Sequence, residues 1–195
     1  MANQDAPFGL RPLKTVGQQD DSTGFASYWI DAGETDAMYQ GSLVLATATG
    51  YVDIAGTGGA LNLGAFWGCF YVDPTTLKPT FKNYYPGSIT PPSGKDVEAF
   101  VYDSPMQMFE IQSAATGASD QSDIFSTCDL DSNSGRTRDG MSTAECADSY
   151  AAGPAVLKVI GVSRDPKNND ITAANVNWRV QITEHLLASY TGGAV

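Results

Sequence analysis

The chain has 195 residues, 42% of them hydrophobic and only 17% charged, with 20 Gly and 10 Pro. That is enough for one domain with a real core, and so many turn formers with so little charge disfavour a helical bundle. The formal charge of −11 opposes binding to a nucleic-acid backbone or an anionic bilayer and suits a partner with a basic face.

Residues 1–24 carry little apolar periodicity. Pro7 and Pro12 fix φ and bias their neighbours to extended conformations, and the polar run Gly17–Ser22 follows. The expectation is an extended N-terminal arm over 1–24, anchored on a neighbour through Phe8, Leu10 and Arg11, with the body spanning 25–195. A terminus that frays alone and orders on a neighbour satisfies the same pattern. Deleting residues 2–12 is then expected to abolish partner binding and leave the body folded. Met1–Asp5 has neither the basic region nor the apolar run of a signal peptide. No stretch approaches the ~20 apolar residues of a membrane span. The expectation is a protein made and assembled in a cytoplasm.

Ser27–Asp31 reads as a first strand. Gly41–Leu45 and Tyr51–Ile54 flank Thr47–Gly50 as a hairpin, and the small residues of Ala55–Gly64 read as a loop. Leu61–Val72 is a continuous apolar and aromatic run, suited to a strand buried on both faces. Pro74–Lys78 breaks it, and Thr80–Tyr85 resumes with alternating character before Pro86-Gly87. Ile89–Lys95 is a connector. Val97–Tyr102 is a strand, Asp103-Ser104-Pro105 a turn, and Met106–Gln112 the returning strand. Ala114–Asp123 is a small polar loop. Ser126–Ser149 is the most polar stretch, with little to bury; it is too long for a structureless loop, so a polar lobe at about 126–149 is expected. Ala155–Val162 and Asn175–Thr183 close the set. In the latter, Val176, Trp178, Val180 and Ile182 alternate with Asn177, Arg179, Gln181 and Thr183. The fold class is mainly β, an antiparallel sandwich or barrel-like body.

No constellation for catalysis stands out. His185 is the sole histidine, it sits beside Glu184 after the last strand, and no Gly-x-Ser-x-Gly elbow surrounds a serine. Asp129-Leu130-Asp131-Ser132-Asn133-Ser134-Gly135 has the alternating oxygens of a calcium loop. Its glycine falls one place late, though, Gly140 stands where the bidentate Glu belongs, and a polar turn is the plainer reading. Cys128 and Cys146 lack zinc spacing. Three cysteines argue against a disulfide framework, although Cys128 and Cys146 flank a polar loop and could pair in an oxidising medium. Cys69 reads as a small buried hydrophobe. No catalytic, metal or cofactor site is expected. The aromatic residues Phe66, Trp67, Tyr71, Tyr84 and Tyr85 are expected to fill a core or an interface. Trp67 and the tyrosines could instead stack on sugars, which leaves a carbohydrate-binding or adhesion module as an alternative.

Several segments resemble a family of small tailed-phage virion proteins known from cyanobacterial and marine phages. The resemblance lies in Met1–Pro12, in Leu63–Asp73, in Lys78-Pro79-Thr80 and Asn83–Gly87, and in Val97–Pro105 with Met106–Gln112; it is fainter after residue 112. It implies a capsid decoration, or cement, protein on the outer surface of the head. Such a protein would bind the major capsid protein, as a homotrimer, with neither nucleic acid nor membrane as partner. A neck or tail subunit shares the same profile.

Overall fold

The computed structural model describes residues 3–15, 24–59, 61–94, 96–114 and 119–188. β1 (Arg11–Thr15), β2 (Ala26–Ile30) and β3 (Met38–Tyr39) come first. β4 (Leu43–Ala46) and β5 (Val52–Ile54) form the expected hairpin, closed where Thr47 N–H donates to Tyr51 O at 2.8 Å. The apolar run becomes β6 (Asn62–Val72), which starts inside the segment read as a loop. The break after it is an Asp73 turn, whose Oδ1 accepts from the N–H groups of Thr75 and Thr76. β7 (Pro79–Lys82) and β8 (Tyr84–Tyr85) follow. β9 (Val97–Tyr102) and β10 (Gln107–Gln112) match the expected pair, but they do not pair with each other. The chain changes sheets between them. β11 (Thr127–Cys128), β12 (Leu130–Ser132), β13 (Gly135–Arg136), β14 (Met141–Ser142) and β15 (Glu145–Cys146) are short, and β16 (Leu157–Val162) and β17 (Asn177–Ile182) are full strands.

Two antiparallel sheets make a sandwich-like body. One runs β1-β10-β17-β16-β11, the other β2-β9-β6-β4-β5 with β7 also on β6. Between them lie Leu43 and Ala65 of the second sheet against Phe109, Ile111, Val159, Trp178 and Val180 of the first. The opposite face of the second sheet holds another core: Val44, Phe66, Val97, Ala99 and Val101, covered by Met38 of β3, Tyr85 of β8 and Ile89. β6 is therefore buried on both faces over most of its length, which is why it reads as one apolar run. No helix among the described residues is long and apolar enough to cross a membrane.

Residues 3–15, expected to reach out as an arm, are extended but lie on their own body. β1 is an edge strand of the first sheet, paired with β10. Leu10 is 1% exposed in the inter-sheet core, and its N–H donates to Gly41 O at 2.8 Å. Gly9 takes φ +73° here, and a Cβ on it would strike Gly41 O and Ser142 at 2.6 Å, so only glycine lets the chain pass. Further back, the Asn3 amide donates to Asp170 O and Ala174 O, each at 2.9 Å.

The polar lobe also differs from expectation. It buries Cys128, Leu130, Ser142, Ala144 and Cys146, and it ties the sheets together. β11 extends the first sheet, β12 pairs with β15, and β13 pairs with β14, whose Met141 bridges Gln40 beside β3. Asn133 stands in for a strand partner: its amide donates to Leu43 O and Ala55 O, and its Oδ1 accepts from Leu43 N–H. Cys128 and Cys146 are joined as a disulfide with Cα atoms 6.5 Å apart. An odd cysteine count hid that pairing; Cys69 is the free one, buried, with its thiol pushed up to about 12 by burial.

Two outcomes follow. Leu10→Ala is expected to cost about 2–5 kcal/mol, read by chemical denaturation, because it opens a cavity under β1. Full stability in that variant would mean residues 3–15 leave the body in solution. Replacing both Cys128 and Cys146 by Ser is expected to remove about 3 kcal/mol, the value for closing a loop of 18 residues' separation. An unchanged melting temperature with and without reductant would refute the bond's contribution.

Candidate binding surface: an aromatic sheet face and its acidic cleft

Register across the second sheet places side chains in rows. Leu43 (β4), Ala65 (β6) and Tyr102 (β9) form one row, and it faces the inter-sheet core. Counting two residues back along β9 keeps the same face. There Ser27, Phe100 and Gly68 form the next row, and Trp29, Glu98, Phe70 and Phe81 the one after, crossing β2, β9, β6 and β7. The first sheet does not cover these rows. Trp29 is 53% exposed, Phe81 48% and Phe70 39%. One face of one sheet is thus core at one end and bare aromatic surface at the other.

The rings on the bare end hold one another in place. Phe25 stacks on Trp67 with centroids 5.0 Å apart and meets Phe100 edge-on at 5.5 Å. Trp67 also lies 5.2 Å from Phe81, and Phe81 lies 6.2 Å from Phe100. Gly68 makes the space: a Cβ there would sit 2.8 Å from the Phe81 ring. Such contacts fix ring orientation at about 0.5–1.5 kcal/mol per pair, so the cluster of Phe25, Trp67, Phe81 and Phe100 is preformed. Beside it, Trp29, Phe70, Pro92, Asp96 and Glu98 line a cleft of about 480 Å³. Asp96 accepts a hydrogen bond from the Tyr51 hydroxyl at 3.1 Å, which raises the Tyr51 pKa.

The residues singled out from sequence separate into two groups. Phe66, Tyr71 and Tyr85 are core, and the Tyr85 hydroxyl donates to Glu34 O at 2.8 Å. Trp67 is half-buried within the aromatic cluster. Tyr84 is half-buried and stacked on Tyr39 at 5.9 Å, with the Lys82 ammonium 5.5 Å from its ring. Trp67 and the tyrosines therefore share no exposed face of the kind a sugar platform needs. Of the arm residues, Leu10 is core, while the Arg11 guanidinium covers the Phe8 ring at 3.9 Å and pairs with Glu110 at 3.3 Å. Trp29, Phe70, Phe81, Phe25, Phe100 and Glu98 were not singled out. A signal existed: Val97–Tyr102 alternates small apolar residues with Glu, Phe and Tyr, so the face opposite its core is aromatic where a solvated strand would be polar.

The other candidates make bonds within the fold. His185 is buried, its pKa lowered by burial, and its Nδ1 accepts from Leu187 N–H. In the calcium-like string, Asp129 Oδ1 accepts from Val156 N–H and Asn133 bonds backbone. A different group, Glu34, Asp36 and Asp53, brings carboxylate oxygens within 4.8 Å of one another, the spacing a hard cation would use. Burial, with the charges of Glu34 and Asp36, raises the Asp53 pKa. No family model matches this chain, no curated protein matches it, and no solved structure matches its fold.

Glu145, on β15, is pushed up to about 7, first by burial and then by Asp5, Asp131 and Asp148. Because folding favours its protonated form, its contribution to stability is complete below the ordinary glutamate range and is lost as pH rises through about 7. The melting temperature is expected to fall between pH 5 and pH 8, and Glu145→Gln is expected to flatten that slope. An identical slope in the variant would assign the dependence to other groups.

Proposed function

We propose that this chain is a non-enzymatic structural subunit of a tailed-phage particle: a decoration, or cement, protein. In this reading it docks on the outside of the head, binds the major capsid protein, and holds neighbouring capsomers together as a homotrimer. The observation that carries the reading is the half-covered sheet face. Preordered rings exposed at the end of a packed sheet are the usual mark of a surface that meets a partner. The resemblance of the N-terminal and central segments to small virion proteins supplies the context.

The energetics suit repeated weak contacts. Fully burying a side chain such as Trp29 or Phe81 contributes roughly 1.5–3 kcal/mol, against an association cost of several kcal/mol. A single face gives modest affinity, and a trimer engaging three sites multiplies it without new contacts. The acidic charge limits self-adhesion and suits a basic shell surface.

The decisive measurement is copy number in purified particles. Hundreds of copies are expected; six or a dozen would point to the neck or tail instead, and none would end the virion reading. Trp29→Ser with Phe81→Ser is expected to lower occupancy on particles by at least about tenfold while shifting the melting temperature by only a few degrees. Normal occupancy of that variant would remove this face from the interface.

A further inference from the structure

The cleft at the bare end of the second sheet has its own chemistry. Trp29 and Phe70 flank Glu98 in one cross-strand row, and Tyr71 and Val72 of β6, Pro91, Pro92 and Gly94 of the connector and Asp96 just before β9 complete the lining. The lining is thus mainly aromatic, proline and valine surface with two carboxylates. No lysine or arginine lines it among the described residues, and none of their ion pairs involves Glu98 or Asp96.

That composition selects among occupants. An anion is repelled by both carboxylates and by the electron-rich ring faces. A neutral sugar can stack on the rings but leaves two negative charges uncompensated. A cationic side chain suits the rings, the apolar surface and the carboxylates together: the ring quadrupoles attract it, its stem packs on apolar surface, and the carboxylates accept its N–H groups in charge-assisted hydrogen bonds. A planar guanidinium fits this combination of ring face and carboxylate best.

We propose that this cleft receives an arginine or lysine side chain from the partner surface. The source of that side chain rests on the assembly reading; the preference for a cation rests on the cleft alone.

The test titrates the full chain with acetyl-Gly-Arg-Gly-amide, its lysine counterpart and its citrulline counterpart, following the Trp29 indole and Glu98 amide signals by NMR. Lys95 lies outside the described residues, so Lys95→Ala is titrated in parallel, and binding by either chain supports the proposal. Saturable shifts are expected with the two cationic peptides and not with citrulline. Glu98→Gln, close to isosteric, is expected to weaken binding about tenfold, and Trp29→Leu to abolish the ring-current shifts. Equal binding of the citrulline peptide, binding of a neutral trisaccharide with no response to the cations, or no response from either chain would overturn the proposal. Particle association of the unaltered chain, set beside its peptide titration, separates the two readings. Peptide binding without any particle association supports the cleft and defeats the assembly reading. Particle association without peptide binding defeats the cleft alone.

Discussion

The structure depends on β6 having almost no free side. Most strands of a sandwich bury one face and solvate the other. β6 meets the first sheet through Ala65 and the second core through Leu63, Phe66 and Cys69. Small residues make this possible. Ala65 leaves room for Leu10, Leu43 and Phe109 in the inter-sheet core, and at Gly64 a Cβ would run into the Tyr102 carbonyl. Everything that covers β6 is thereby fixed in distance, from the β3–β8 ladder on one side to the N-terminal segment on the other.

The same constraint explains the bare aromatic end. The first sheet is wide enough to cover β4 and the start of β6, but not the β2-β9-β6-β7 end. Where cover stops, the residues remain of core type: Phe25, Trp67, Phe81 and Phe100 pack on each other instead of on a second layer. Charge stands next to apolar surface there, with Glu98 between Trp29 and Phe70. Two copies meeting on that row would bring like charges together, so the face is better suited to a different molecule than to its own mirror.

Legibility in the sequence followed physical cause. β9, β17 and the β4–β5 hairpin have clear two-residue alternation or a defined turn, and they appear where the pattern places them. β6 was readable as doubly buried because nothing polar interrupts Leu63–Val72. The lobe at 126–149 was not readable, since its order comes from Asn133 bonding the backbone of Leu43 and Ala55, from strands of two or three residues and from a disulfide, none of which leaves a periodic trace. The N-terminal segment misled for a related reason. Its two prolines predict extension correctly but say nothing of what lies alongside, and the edge of β10 proved to belong to the same chain. The aromatic site was partly legible: the stretch around Trp67 drew notice, while Trp29 and Glu98 acquire meaning only through cross-strand register.

The position of β17 has a consequence for how the molecule comes to exist. It is the last strand of the described chain, yet it occupies the centre of its sheet, between β10 and β16. On a ribosome, β10 and β16 emerge with no partner between them, and Trp178, the largest side chain of that core, arrives after nearly everything it packs against. The five-stranded sheet therefore closes only once Asn177–Ile182 has emerged. Loops of this length make such pairing slow, and until it occurs β10 and β16 present open edges. A chain broken off before Asn177 would lack the middle of its sheet and would keep both of those edges open.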